Sequence, residues 1–522
     1  MLFRSRVTTL EHGGKNLLLI NNWYRGAYAQ DSWRLSSRVT VNYGMRWEPY
    51  FGQNVENNAV TIFRMENFQK GIKSTVFHNA PAGLTYPGDP GFPKGQTGLN
   101  KQWWNLSPRG GVAWDVRGDG RLALRSSYSM GYDFMSGEYH NINAGAPPFG
   151  NRSIIQDPTG LLDDPYRGVG GDPHPIVTGP DTQYVAFGSF GTMDPDINSP
   201  RVQSWNVTLE QQLGTNWGVS VAYLGSHSDR LWAQVALNPG LYMGQGPCTI
   251  NGVSYPVCSV QSNLNQRRLL YQQNPREAAL IGALDLNTDI GHQNYAGVKF
   301  AVQRRADDGV SLSANYTLSE CKGTPQNPRF NQSSGGYLKP DDPSFDAGYC
   351  DQDRRHLATT TVGYEIPDVG GAALRALASH WRFSGILNAR SGNRLDVLSG
   401  IDNAFTGILN QRPDKVSDDF YQRTLTSWFN RAAFAQPAPG TLGDLPRNAV
   451  VGPAYWNVDL AVSKLIAVSA TQRLELRLES FNLLNHFNWG DPVTNFNAGT
   501  FGRITTQTGF PRIMQFGIKY DF

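Results

Sequence analysis

The feature that most constrains this chain is a strict alternation of apolar and polar residues, sustained over segments long enough to cross a bilayer. In Arg38–Glu48, Val39, Val41, Tyr43, Met45 and Trp47 fall on one side, and Thr40, Asn42, Gly44, Arg46 and Glu48 on the other. Successive side chains of a strand point to opposite faces, so this segment has one greasy face and one wet face. A helix would scatter the same residues around its circumference. Trp205, Val207 and Leu209 repeat the pattern, as do Val310, Leu312, Ala314, Tyr316 and Leu318. So do Trp456, Val458, Leu460 and Val462, then Leu474, Leu476 and Leu478, and finally Met514, Phe516, Ile518, Tyr520 and Phe522. Strands of about 9–11 residues, apolar outside and polar inside, are what a lipid-facing barrel with a wet lumen requires. Soluble sandwich strands average only about 5–6 residues. Trp33, Trp47, Trp114 and Trp381, near strand ends, fit interfacial girdles.

The rhythm of the connections is a second test. The pattern predicts strands over 23–34, 38–48, 109–117, 121–131, 202–213, 217–225, 294–305, 309–319, 354–366, 380–390, 455–464, 472–482 and 512–522. Short gaps such as Leu35-Ser36-Ser37, Gly118-Asp119-Gly120 and Ala306-Asp307-Asp308 carry turn chemistry. They alternate with long gaps near 49–108, 132–201, 226–293, 320–353, 391–454 and 483–511. Outer-membrane barrels join strands by short periplasmic turns and long extracellular loops. That parity puts Phe522 at the periplasmic end.

Composition agrees with this reading. The 522 residues hold 17% charged side chains, 56 Gly, 22 Tyr, 25 Phe and 13 Trp. Mean hydropathy is -0.42, and Leu17–Ile20 is far short of the roughly 18 apolar residues of a membrane helix. The net charge of +3 is spread out, with no basic run interleaved with aromatics, so nothing points to nucleic acid. Met1–Arg6 opens no apolar signal segment. Because a barrel must first cross the inner membrane, the expectation is that the true start lies upstream. Cys248 and Cys258 form one local pair and Cys321 and Cys350 another, all in long gaps. Two loop-clamping disulfides suit that spacing; free thiols are the alternative.

Tyr28-Ala29-Gln30-Asp31-Ser32-Trp33 followed by Asn42-Tyr43-Gly44-Met45-Arg46-Trp47-Glu48 resembles the strand pair of Oar-like TonB-dependent receptors. Ser107–Trp114, Asp353–His356, Arg447-Asn448 with Gly452-Pro453, Asn457–Asp459, Glu479–His486 and Phe501–Ile504 through Gln515–Phe522 resemble the same family in order. The resemblance implies an antiparallel barrel of 22 strands, plugged from the N-terminal side and preceded by a regulatory-like domain. It further implies a receptor that captures an extracellular ligand and imports it with energy relayed by TonB. The chain departs from that pattern: no TonB box, plug or regulatory-like domain is recognisable, and only about thirteen strands are read. The expected architecture is therefore a lead-in over 1–22, a remnant of an upstream strand, and a partial barrel over 23–522. A fragment inactive alone is expected. Its partners would be outer-membrane lipid, the barrel-assembly machinery reading Ile518, Tyr520 and Phe522, an unidentified ligand, and TonB only through the absent plug.

Chemical motifs are sparse. Asp353-Arg354-Arg355-His356 reads as a charged cluster at the rim rather than a metal or ligand site. Asp115–Gly120 looks like a calcium loop, but Arg117 and Ser126 occupy ligand positions, so it reads as a hairpin turn. Asp341, Asp342, Asp346, Asp351 and Asp353 read as a solvated acidic loop, with calcium as the alternative. Gly13-Gly14-Lys15 lacks phosphate-loop spacing, Asn315-Tyr316-Thr317 lies within a strand, and no hydrolase elbow or zinc-protease helix occurs. Trp103, Trp104, Tyr139, Phe149, Trp428 and Phe429 could stack on a ligand, though loop packing is the commoner role. No catalytic, cofactor or metal residue is assigned. A passive porin-like channel and a secreted carbohydrate-binding β protein are the competing functions. Either barrel reading fails if the apolar faces pack against a second sheet.

Overall fold

The computed structural model describes residues 9–14, 17–134, 137–140, 147–156, 179–307, 309–324, 336–469 and 471–522. One antiparallel meander of thirteen strands dominates it. They are β1 (Ala27–Arg34), β2 (Val39–Trp47), β3 (Leu106–Asp115), β4 (Leu122–Tyr132), β5 (Arg201–Leu213), β6 (Trp217–Ala236) and β7 (Ile281–Asp307). Then come β8 (Val310–Gly323), β9 (His356–Glu365), β10 (Trp381–Arg390), β11 (Tyr455–Ala467), β12 (Arg473–Phe481) and β13 (Ile513–Asp521). Each pairs with its neighbours in sequence, so every connection is a hairpin. Two accessory strands bring the sheet to fifteen: Gly188–Met193 runs parallel to β7, and Gly348–Tyr349 pairs with β8.

Register makes the alternation of single strands a property of the whole surface. Val207 stands opposite Tyr223 and Leu209 opposite Val221; Val221 in turn meets Phe300, and Phe300 meets Tyr316. Farther on, Leu387 meets Val458, Val462 meets Leu478, and Leu478 meets Phe516. The apolar rows thus share one face, and a one-residue slip anywhere would reverse a strand. That face is not covered by a second sheet: Val207, Tyr223 and Phe300 remain 44%, 45% and 46% exposed. The other face carries cross-strand pairs such as Arg125 with Glu210 (3.1 Å) and Arg382 with Glu365 (2.8 Å). Among the described residues no helix is long and apolar enough to cross a membrane.

The outer ends of β6 and β7 depart from expectation. Alternation predicts strands over 217–225 and 294–305, yet β6 has 20 residues and β7 has 27. At about 3.4 Å per residue, β6 is some 65 Å long, roughly twice a hydrocarbon core. Its last five residues, Trp232–Ala236, are all buried, so both faces are covered and the polar half of the code disappears. Register shifts between Ser228 and Leu231, and between Leu231 and Ala233, bend the ribbon where it leaves the sheet. Gly291 lies there so close to β6 that a Cβ would come within 2.8 Å of the Leu231 carbonyl oxygen.

All six long connections lie on the side reached by this ribbon, and the buried apolar clusters are there rather than across the sheet. On the opposite side Asp115 closes its hairpin by accepting the Gly118 and Gly120 amides (2.8 and 2.9 Å), a turn rather than a cation loop. The turn at Ala306-Asp307-Asp308 is described except for residue 308, which lies outside the described residues. In the lead-in, Thr9–Gly14 pairs with Asn151–Gln156, and Ile20 and Asn21 pair with Val55 and Asn54; residues 1–8, 15 and 16 lie outside the described residues. The outermost strands, β1 and β13, have a neighbour on one side only, and both run from the long-loop side to the short-turn side.

The two faces predict opposite tolerance to charge. Val207→Arg, on the apolar face of β5, is expected to destabilise the folded protein in lipid by about 2–4 kcal/mol. Ser220→Arg, on the polar face opposite Glu210, should change stability far less. Denaturant titration of both variants in lipid vesicles measures the difference.

Candidate functional site

The long connections fold into a crown with two aromatic cores. One gathers Phe63, Phe68, Phe77, Tyr86, Phe149, Tyr184 and Phe190 around Leu284 at the start of β7. Inside it, the Tyr184 hydroxyl donates to the Tyr86 hydroxyl at 3.0 Å, and the Phe63 amide donates to Thr192 at 2.8 Å. The other core packs Phe429, Phe434, Phe496 and Phe501, with ring centroids 5.2 Å apart for Phe496 and Phe501.

Between the connections lies a cleft of about 760 Å³. Leu264, Leu398, Ile401, Phe405, Ile408 and Leu409 supply its apolar wall, and Gln261, Asn403, Gln411 and Asn495 its amides. The Asp402 carboxylate organises the floor. It accepts the amides of Thr406 (3.1 Å) and Gly407 (2.8 Å) and the side chains of Gln261 (3.1 Å) and Gln411. With its oxygens so occupied, Asp402 shapes the loop rather than serving as a base.

The back wall hangs on a buried arginine. Arg267 is wholly buried and donates to the Phe405 carbonyl (3.1 Å), the Val260 carbonyl (3.1 Å), Asn263 (2.9 Å) and the Leu241 carbonyl. Burial lowers its affinity for the proton. Asn263 also donates to the Cys258 carbonyl at 2.8 Å. The structure bonds Cys258 to Cys248, so a short covalent hairpin braces the arginine that braces the cleft. Its neighbour Arg268, pushed down to about 10 by burial, donates to the Asn238 carbonyl at 2.6 Å.

The second disulfide, Cys321–Cys350, ties the end of β8 to the following loop. Around it the acidic residues divide: Asp341, Asp342 and Asp351 are solvated as expected, whereas Asp346 and Asp353 are buried. Asp346 is buried and paired with Arg412; Asp353 accepts the Cys321 amide (2.7 Å) and pairs with Arg394 (2.9 Å). Asp351 pairs with Arg447 at 3.2 Å. Buried carboxylates require partners, and the guanidiniums come from the 391–454 connection, too distant in sequence to be foreseen. The rest of Asp353–His356 also binds the rim together: Arg355 faces Glu320 (3.6 Å), and His356 hydrogen-bonds the Tyr316 hydroxyl (2.7 Å). No group of three metal-ligating side chains occurs among the described residues.

Of the loop aromatics, Phe149 and Phe429 are core residues, Tyr139 packs edge-on against Trp232, and Trp428 donates to the Val451 carbonyl. Trp103 and Trp104 stay 51% and 81% exposed. Ile518 and Tyr520 stand on the exposed outermost strand, and Phe522 follows its last residue, also exposed. Gly13 and Gly14 lie in the lead-in strand, whereas Lys15 lies outside the described residues. Asp402, Gln411, Phe405 and Arg267 had no distinguishing sequence signal.

A family model described as "Outer membrane beta barrel domain" matches residues 8–515. The chain belongs to that family. This outer membrane β-barrel accordingly resides in the outer membrane, its exposed apolar face turned to lipid. No curated protein matches it. Among solved structures, the siderophore receptor PiuA from Acinetobacter baumannii is 10% identical, with 95% of this chain and 42% of that one covered and a TM-score of 0.40. The outer membrane transporter YddB from Escherichia coli is 8% identical, with coverage of 95% and 45% and a TM-score of 0.44. The ferripyoverdine receptor of Pseudomonas aeruginosa is 10% identical, with coverage of 95% and 38% and a TM-score of 0.42. The chain spans less than half the length of these structures.

Two outcomes test the crown. Arg267→Met removes the donors that hold Phe405, so hydrogen exchange over 401–411 should rise at least tenfold while β5 and β12 are unchanged. Burial pushes the Asp396 carboxyl up to about 6, against the pull of Arg412 and Arg447. A folded-state value above the unfolded one stabilises below the unfolded value and is lost as pH rises through about 6. Protection around Asn448, whose amide meets Asp396, should therefore be lower at pH 7.5 than at pH 5 once the intrinsic exchange rate at each pH is divided out, and Asp396→Asn should flatten that dependence.

Proposed function

We propose that this β-barrel is the membrane-spanning part of a TonB-dependent receptor, Oar-like in its motifs, for uptake of an unidentified extracellular ligand. The reading divides the chain into a lead-in, 1–22, and a partial barrel, 23–522, inactive as an importer alone. The observation that carries it is the crown. Six long connections stand on one side of the sheet and three of them line a braced, largely apolar cleft, whereas a passive pore needs only an open lumen. The cleft supplies shape and amide hydrogen bonds; its carboxylate, Asp402, is occupied by four donors and its Ser399 hydroxyl donates to the Ile401 carbonyl, so the reading is capture rather than chemistry. TonB would act through a plug supplied outside this chain. The barrel-assembly machinery would read Ile518, Tyr520 and Phe522.

Energy dependence decides between import and diffusion. Cells displaying the full chain together with its plug should accumulate labelled solutes from conditioned medium, and lose that accumulation when an uncoupler collapses the proton gradient. Uptake indifferent to the uncoupler, with a steady ohmic pore in planar bilayers, would establish a passive channel instead. Removing Phe522 should cut the heat-modifiable band in outer-membrane fractions several-fold; an unchanged band would remove the assembly role.

A further inference from the structure

Five of the connections on the short-turn side have two to six residues: 35–38, 116–121, 214–216, 308–309 and 468–472. The sixth, 366–380, is different. It contains α1 (Ala372–Ala378), which leaves Leu374 and Leu377 56% and 75% exposed. Trp381, first residue of β10, fixes this helix by donating from its indole nitrogen to the Leu377 carbonyl at 2.8 Å. By register Trp381 stands on the apolar face, opposite Lys464. The Lys464 ammonium lies 5.6 Å from the Trp381 ring centre and donates to the Ser379 carbonyl.

A second aromatic–cation pair occupies the same rim. Arg304 stands opposite Trp217, 5.7 Å from its ring centre, on the row that continues to Val302 and Phe300. Its Nε has no hydrogen-bond partner among the described residues. Neither Arg304 nor Lys464 has a carboxylate within 4.0 Å among the described residues. The acid of the helical connection, Asp368, is occupied by His380 (3.0 Å) and Arg375 (3.7 Å).

We infer that α1, Trp381 and Lys464, with the Trp217–Arg304 pair, form a foot that seats the barrel on the phospholipid leaflet of its short-turn side. Leu374 and Leu377 enter the acyl region, Lys464 stays buried and fastens the helix from beneath, and the Arg304 guanidinium binds a lipid phosphodiester. The occupant follows from continuity with the lipid-facing band and from charge: indole rings at interfacial depth, and in Arg304 a cation with no pairing acid among the described residues. The inference rests on membrane residence and is independent of the transport reading.

The four native cysteines are paired, so Leu377→Cys offers a unique labelling site. A nitroxide there, on the full chain in nanodiscs of phosphatidylethanolamine and phosphatidylglycerol, should collide more with oxygen than with a water-soluble nickel chelate, as a Phe383→Cys control does. Nickel-dominated collision would mean water, and low collision with both would mean a protein surface; either overturns the foot. Native mass spectrometry from the same discs should show Arg304→Gln retaining at least twofold less phosphatidylglycerol. Equal retention in a variant that keeps its heat-modifiable migration would overturn headgroup binding.

Discussion

A strand in hydrocarbon has nothing but its neighbours with which to hydrogen-bond, and each lost backbone partner costs several kcal/mol. That requirement binds every strand of this protein to the next in strict register. Register then places Val207, Tyr223, Phe300 and Tyr316 on a common face. The sheet therefore needs no hydrophobic core of its own. Lipid supplies the apolar environment that a second sheet would supply in a soluble sandwich, and the polar pairs of the opposite face stay hydrated.

Having been relieved of core formation, the sheet can serve as a pedestal. The buried apolar clusters of the molecule stand above it, and the doubled length of β6 and β7 carries them there. The crown is held by polar locks as much as by aromatic packing. Asp346 with Arg412, Asp353 with Arg394 and Asp351 with Arg447 join one connection to another, beside a disulfide. Breaking one partner of the two buried pairs, Asp346–Arg412 and Asp353–Arg394, is expensive because the other charge remains. The cleft at Asp402 inherits its shape from these locks and from Arg267.

Legibility in the sequence followed burial. Strands such as β5 and β13 were readable because one face meets lipid and the other water, which writes polarity into alternate residues. The outer half of β6, Trp232–Ala236, was not, because both of its faces are covered. Hairpin chemistry at Asp115 could be read within a few residues. The lock between Asp346 and Arg412 spans 66 positions, and the bond from Gln261 to Asp402 spans 141, so composition suggested a solvated acidic loop where ion pairs exist. The helix at 372–378 interrupts a connection that parity alone would make a tight turn.

The shared direction of β1 and β13 has a consequence for closure. Two edges that both descend toward the short-turn side can join each other only in parallel. A second copy inserted the same way offers no better match, since its own edges descend as well. An antiparallel seal demands an intervening odd number of strands, which is also the remainder left by the even-stranded cylinder that the motif resemblance implies. Parity, rather than any particular contact, dictates how many strands an antiparallel seal between these two edges must contain.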